Sequence, residues 1–489
     1  MAASAPQMEK LHFLLIPLMS QSHIIPLTDF AKLLAKRGVT VSIITTPSNA
    51  DRYNDFVKIH AAKSNLKIQL ITLEFPSRQA GLPQGCENMD SLASMDLVID
   101  FFQASDLLRE PLEKIVSRLD PKPSCIVDTS VFSWVQDIAT KFDIPRYVFQ
   151  TVSCFTNVVS HILKETKAAD TDSDTFFVPR VPDNIELRKG QLIENTVKQS
   201  DKWVSIMDRI KKTHNFARGS FINTFEELEP WYVNEYKKLR RAVWCVGPVS
   251  LCNRETDEKR NRGNRFSSDR DCLPWLDTMK PRSVIYACFG SLCQISPSQL
   301  KEIGLGLEAS NSPFIWVIRG LNFSSQVEKW LEEYGLEERV KGRALIVRGW
   351  APQLEILSHP SIRGFMTHCG WNSTLEGISA GVPMITFPMF AEQFLNEKFI
   401  VKVLKIGVRV GVEVGVNSWQ EEKKGVMVKR EQVKNAIDCL MGDEGEEMMR
   451  KRAQKLAEMA KMAGEEGGSS SFNISLLIQD VIDATCEVR

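Results

Sequence analysis

Nineteen consecutive residues, Asn253 to Asp271, carry one aromatic side chain and no aliphatic one, so this stretch can bury almost nothing and reads as a linker. It divides the 489-residue chain into two parts of comparable size, each long enough for a core of its own. Both sides spell the same pattern. Before the linker, apolar runs at 13–16, 39–44, 68–73, 125–128 and 147–149 alternate with amphipathic stretches such as 25–37, 91–119 and 132–141, and Gly38 stands where the first of these should end. After it, runs at 283–289, 314–318, 344–347, 364–367 and 384–387 resume the alternation. Short, nearly continuous apolar runs separated by helices suit a parallel sheet covered on both faces. The expectation is an α/β chain of two doubly wound domains, with a ligand in the cleft between them, facing the carboxyl ends of both sheets. The expected division is 1–252, a linker at 253–271, a second domain at 272–471, and a final amphipathic helix at 472–489.

Charge and cysteine usage narrow the function classes. Sixty-one Lys plus Arg balance 61 Asp plus Glu, which leaves no net field to attract nucleic acid or an anionic membrane and points to a small-molecule partner. Eleven cysteines without a C-x-x-C pair indicate neither a disulfide framework nor a zinc ribbon and fit reduced thiols in the cytoplasm. The uncharged stretch 11–28 is broken by Pro17, Gln21, Ser22, His23 and Pro26, so it reads as a buried strand and turn, neither a membrane span nor a signal peptide. Gly304-x-Gly306-x-x-Ala309 has the spelling of a dinucleotide fingerprint but lies inside a helical stretch. Asp170 with Asp172, and Asp269 with Asp271, sit in polar loops and read as solvated surface, not as a cation site.

The densest signal runs from Trp350 to Gln393. Phe365 to Thr367 reads as a strand, His368 to Ser373 as a turn, and Thr374 to Ser379 as the start of a helix. A strand–turn–helix of this kind offers unpaired N–H groups and the positive end of a helix dipole to a pyrophosphate. Asn372 and Ser373 are capping types and His368 is a further donor. An ordinary Gly-rich turn spells the same way, and periodicity alone does not separate the two.

These 44 residues resemble the donor-binding box of plant secondary-product UDP-glycosyltransferases. Trp-Ala-Pro-Gln, His-Cys-Gly-Trp-Asn-Ser, Glu376, Gly-Val-Pro and the closing Glu-Gln fall at that family's spacing. The segments at 81–88, 289–291 and 467–470 are similar to the branch acting on triterpenoids, steroids and flavonoids. The resemblance implies a GT-B fold, two facing Rossmann-like domains with an interdomain cleft, with UDP-glucose as donor substrate and no cofactor or metal. It implies that Trp350 stacks on uracil, with the Ala351 backbone and Gln353 beside it, and that Glu376 accepts from the ribose hydroxyls. Ser291, His368, Asn372 and Ser373 would hold the diphosphate. Trp371, Glu392 and Gln393 would read the sugar, the Gln resembling glucose users.

On the residues alone, His23 after the first strand is a structural donor or a general base. The resemblance makes it the catalytic base, with Ser22 where the family has Gly. The Asp that should orient it falls on Thr129, while Asp128 stands one residue earlier. A one-residue shift in a strand sends a side chain to the opposite face, so Asp128 reaches His23 only if the strand has already ended. The function implied is inverting transfer of glucose to a hydroxyl of a lipophilic plant small molecule. Another UDP-sugar donor stays open, and so does a silent binder of UDP-sugar or aglycone, which the displaced Asp motivates.

Overall fold

The computed structural model describes residues 11–53, 66–196, 200–253, 272–319, 324–416, 425–442 and 444–487. The linker beyond Asn253, with Asp269 and Asp271, lies outside the described residues. The chain forms two compact units, 1–154 with 200–265 and 460–489, and 155–199 with 266–459. The division differs from the sequence expectation in two places: 155–199 goes with the second unit, and the chain from Ala460 onward goes with the first.

In chain order the strands are β1 (His12–Ile16), β2 (Thr40–Thr45), β3 (Ile68–Thr72), β4 (Cys125–Asp128) and β5 (Arg146–Gln150). An antiparallel ribbon of the second unit follows, β6 (Thr175–Phe177) and β7 (Glu186–Arg188), and then β8 (Gly219–Ile222) and β9 (Val243–Cys245). The first unit's sheet is parallel, in the order β3-β2-β1-β4-β5-β8-β9. Along β1, Phe13 and Leu15 enter one core while Leu14 and Ile16 enter the other, which is why its apolar run is continuous instead of alternating. Helix α1 (Gln21–Ala35) lays Leu27, Phe30, Ala31 and Leu34 on the first of these faces, a helical spacing. Gly38, with φ +84°, turns the chain away after it.

The strand order reverses between β1 and β4, so the loops after these two strands flank the point where doubly wound sheets bind ligands. The first loop leads into His23 and the second begins at Thr129.

The second unit repeats the plan with β10 (Val284–Cys288), β11 (Phe314–Ile318), β12 (Ala344–Arg348), β13 (Ile362–Thr367), β14 (Met384–Thr386) and β15 (Gly407–Arg409). All are parallel, in the order β12-β11-β10-β13-β14-β15, and the reversal falls between β10 and β13. Helices α2 (Pro297–Ala309), α3 (Trp371–Ser379), α4 (Gln393–Lys398) and α5 (Arg430–Met441) belong to this unit. The glycines of the dinucleotide-like spelling are packing residues of α2. A Cβ on Gly306 would meet Val433 of α5 at 2.5 Å, and one on Gly304 would meet Trp316 at 2.9 Å.

The last helix, α6 (Ser469–Glu487), places Ile474, Leu477, Ile478 and Val481 in the first unit's core beside α1. Asp480 ties it down through Arg218 at 3.0 Å and the Tyr147 hydroxyl.

Candidate active site

Parallel register decides which side chains leave the second sheet together. Ile318 of β11 pairs with Arg348 of β12, and Cys288 of β10 pairs with Thr367 of β13. In spatial order, the carboxyl edge therefore presents Trp350 after β12, Arg319 after β11, Ser291 after β10 and His368 after β13. The chain after β14 brings Glu392 and Gln393.

At one end of this row the Trp350 ring lies under the Arg319 guanidinium, 4.0 Å from Cζ to the ring centroid. Its Nε1 is buried without a hydrogen-bond partner among the described residues, as is Arg319 Nε. Ala351 is buried and its carbonyl accepts from Gln353 N at 2.9 Å. Gln353 then acts as a bridge: its amide donates to Glu376 Oε2 at 2.8 Å and Ser373 Oγ at 3.1 Å, and its carbonyl accepts from the Tyr286 hydroxyl at 3.4 Å. One side chain thus fixes a carboxylate and a hydroxyl of helix α3 against the Trp350 loop.

His368 stands in a slot between two glycines. A Cβ on Gly290 would come within 2.5 Å of its Cε1, and one on Gly370 within 2.3 Å of Nε2. Gly290 also has φ +73°, where a side chain is strained. Burial, assisted by the charge of Arg319, pushes the pKa of His368 down to about 4, so the ring is neutral at pH 7 and serves as a hydrogen-bonding group. Its Nδ1 is buried and has no partner among the described residues.

Helix α3 begins earlier than the sequence suggested. Its N-cap is Gly370, and no side chain caps it; Asn372 and Ser373 lie inside its first turn. The N-cap glycine has no side chain to spend on the helix's amino end, which suits an anion. Trp371 departs from expectation, being 2% exposed and packed on Phe399 with centroids 6.1 Å apart. Its ring belongs to the core, so its position can serve a sugar only through the backbone. Asn396 of α4 holds the turn from below, donating to the Cys369 carbonyl at 2.8 Å.

Gln393 is already engaged. Its carbonyl accepts from Met389 N at 2.8 Å and Phe390 N at 3.2 Å, which leaves its amide, 4.0 Å from Cys293 Sγ, as the end that can meet a substrate. Burial raises the carboxyl pKa of its neighbour Glu392.

In the first unit, His23 falls in the first turn of α1, its N–H donating to Ser20 O at 3.0 Å. Its Nδ1 is buried without a partner among the described residues, and burial lowers its pKa to about 4. Asp128 is still within β4, so alternation turns it to the face of Ile126, away from Val127 and the core on which α1 packs. There it forms a two-pronged pair with Arg146, Oδ1 to Nε at 2.7 Å and Oδ2 to Nη2 at 3.0 Å, and Oδ2 also accepts from Ser130 N at 3.1 Å. Both partners are buried. Removing one side of such a pair costs about 3–5 kcal/mol, so Asp128 is held as a structural residue and does not orient His23. Thr129 Oγ1 accepts from Leu18 N at 2.9 Å, joining the end of β4 to the loop that leads into α1.

With this geometry in view, the relatives of the chain are informative. Residues 272–456 match the family described as UDP-glucoronosyl and UDP-glucosyl transferase. UDP-glycosyltransferase 73C5 of Arabidopsis thaliana is 45% identical over 490 residues, covering 99% of each chain. UDP-glycosyltransferase 73E1 of Stevia rebaudiana is 48% identical over 486 residues, covering 97% of each. The chain belongs to the UDP-glycosyltransferase family. Its fold matches the crystal structure of UGT73P12 from Glycyrrhiza uralensis complexed with glycyrrhetinic acid 3-O-monoglucuronide, with a TM-score of 0.89 at 35% identity over 98% of this chain and 96% of that one. The protein is thus a glycosyltransferase built from two Rossmann-like domains of the GT-B type. Among the described residues, no helix is long and apolar enough to cross a membrane.

Reading the sequence missed Arg319, Tyr286 and Asn396 of this glycosyltransferase. Arg319 had one usable signal, a charged residue directly after the apolar run 314–318 of a parallel strand. Tyr286 and Asn396 join the site through contacts distant in sequence and carry no local signature.

Proposed function

We propose that the glycosyltransferase moves glucose from UDP-glucose, with inversion, to a hydroxyl of a lipophilic plant small molecule, and that it acts in the cytoplasm, where its eleven free thiols would stay reduced. The observation that supports the donor reading is the order of side chains along the second sheet's edge: an aromatic, a cation, a hydroxyl, a neutral imidazole, then a carboxylate and an amide. That is the order of base, diphosphate and sugar in a UDP-hexose. Trp350 offers its indole face to uracil, with Ala351 and Gln353 setting its loop, and Glu376 accepts from the ribose hydroxyls. Ser291, His368, Asn372, Ser373 and the amino end of α3 hold the diphosphate. They stabilise the charge that grows on departing UDP, while Arg319 supplies the positive charge the neutral His368 lacks. Glu392, the Gln393 amide and the Trp371 backbone meet the sugar hydroxyls. His23 takes the acceptor's proton.

Competing UDP-glucose against UDP-galactose, UDP-xylose and UDP-glucuronate on one phenolic acceptor tests the donor, and the anomeric coupling constant of the product tests inversion. Preference for another donor would overturn glucose, and an α-glucoside would overturn inversion. A site built on hydrogen bonds rejects an epimer because its own buried polar groups are left unpaired.

A further inference from the structure

We propose that this glycosyltransferase deprotonates its acceptor with no carboxylate behind the base, and is therefore matched to acidic acceptors, phenolic hydroxyls above all, in preference to aliphatic alcohols. The proposal rests on His23 being the base and narrows the acceptor class.

Three observations carry it. Nδ1 of His23 is buried and has no hydrogen-bond partner among the described residues, so Nε2 is the nitrogen left to meet a substrate. For Nε2 to accept a proton, Nδ1 must already carry one, and that N–H meets no acceptor among the described residues. In base catalysis of this kind, an anion on the far nitrogen selects the useful tautomer and balances the imidazolium. Second, the carboxylate nearest in sequence to the expected position, Asp128, has both oxygens on the buried Arg146 guanidinium and a third contact to Ser130 N. Turning it toward His23 would leave Arg146 buried and uncompensated. Third, the residue in the expected position is Thr129, whose hydroxyl oxygen accepts from Leu18 N and carries no charge in any case. Burial accounts for the low pKa of His23, and no carboxylate among the described residues offsets it.

The transfer itself balances simply. The acceptor oxygen bonds to the anomeric carbon as the bond from that carbon to the β-phosphate oxygen breaks, and the electron pair leaves with UDP. The acceptor proton passes to His23 Nε2 and then to water. A phenol, with a pKa near 10 like the tyrosine side chain, surrenders its proton early and asks little of a weak base. An aliphatic alcohol, close to water at about 16, needs the imidazolium to be well formed as the oxygen attacks, and no carboxylate among the described residues stabilises that cation.

The test uses the full-length protein with UDP-glucose and a size-matched pair, 2-naphthol and decahydro-2-naphthol. The ratio of kcat/KM should favour the phenol by on the order of 10²-fold or more, the range that general-base assistance spans. Thr129→Asp, which puts a carboxylate at the end of β4, should narrow that ratio by raising the alcohol rate, while Asp128→Asn should lower Tm and leave the ratio where it was. A wild-type ratio within about tenfold, or an unchanged ratio in a Thr129→Asp protein that binds UDP normally, overturns the proposal. If Thr129→Asp does not fold, the wild-type ratio and its trend across para-substituted phenols of graded acidity decide alone, and a flat trend overturns it. His23→Ala separates the two levels. Full retention of the wild-type rate on decahydro-2-naphthol, the acceptor that asks most of a base, would overturn the base assignment itself, whereas loss of that rate combined with equal wild-type rates on both acceptors would remove only the acceptor preference.

Discussion

Replacing Arg319 with Met keeps most of the side chain's length and apolar contact with Trp350 and removes its charge, and this should weaken UDP binding more than uridine binding. The guanidinium stands between Trp350 and Ser291 in the edge order, with Cζ 4.0 Å from the indole centroid and Nε buried without a partner among the described residues. Its field already reaches the diphosphate end, because it helps depress the pKa of His368. A hydrogen bond to a charged group is worth about 1.5–3 kcal/mol, and a cation on an aromatic face about 0.5–2 kcal/mol depending on desolvation. The free protein recovers part of this on substitution, since the buried Nε of a half-buried guanidinium, which has no partner among the described residues, is removed. A net loss of about 2 kcal/mol, roughly 30-fold in Kd, is the expected result for UDP by titration calorimetry. Uridine, which lacks the diphosphate, should lose only a few-fold. Equal losses for both ligands would mean that Arg319 only shapes the Trp350 ring, and unchanged UDP affinity would refute any role in the donor site. Arg319→Lys should fall between, keeping a charge but losing the planar stack.

Three further outcomes follow from the same geometry. Gly290→Ala places a Cβ 2.5 Å from His368 Cε1 at a backbone with φ +73°, so UDP affinity measured by calorimetry should fall several-fold, and wild-type affinity would show that the slot is not needed. Gln393→Leu strands the N–H groups of Met389 and Phe390, each worth about 1–3 kcal/mol when left unpaired; Tm should drop together with donor selectivity, and selectivity lost at constant Tm would contradict the double role. Stability of the ligand-free protein, followed by urea denaturation, should decline as pH falls below 6.5. There the unfolded chain takes up protons that folded His23 and His368 refuse until about pH 4, and His214 until about pH 3, so each step down favours unfolding; a flat profile between pH 6.5 and 4 would refute those depressed values.

What the sequence made legible depended on how local the signal was. Ten of the strand positions were readable because each is a short apolar run flanked by a helix. The strands at 175–177, 186–188, 219–222, 243–245 and 407–409 were not; all are three or four residues long, a length at which an apolar run such as that of β4 or β14 can still stand out but no period can declare itself. The first helix was expected from Ile25, where Pro26 suits a first turn, yet it starts at Gln21. The stretch 91–119, expected as one helical region, is broken into helices at Val98–Asp106 and Arg109–Val116.

The candidate site divides along the same line. Residues assigned from the Trp350 to Gln393 stretch cluster at one sheet edge because they follow β12, β13 and β14, parallel strands whose carboxyl ends share that edge. Trp371 shows the limit, since a tryptophan facing a ligand and one facing the core are spelled alike, and only packing against Phe399 separates them. Asp128 shows the opposite case. The rule that a strand alternates faces was available from the sequence, and it lacked only the knowledge that β4 runs through residue 128. Once that is known, the face is fixed, Arg146 supplies the partner, and His23 Nδ1 is left without a partner among the described residues. On the proposed role of His23, a single register step in a four-residue strand therefore separates a base with an anionic partner from one without, and with it an enzyme matched to acidic hydroxyls from one that could also use aliphatic alcohols.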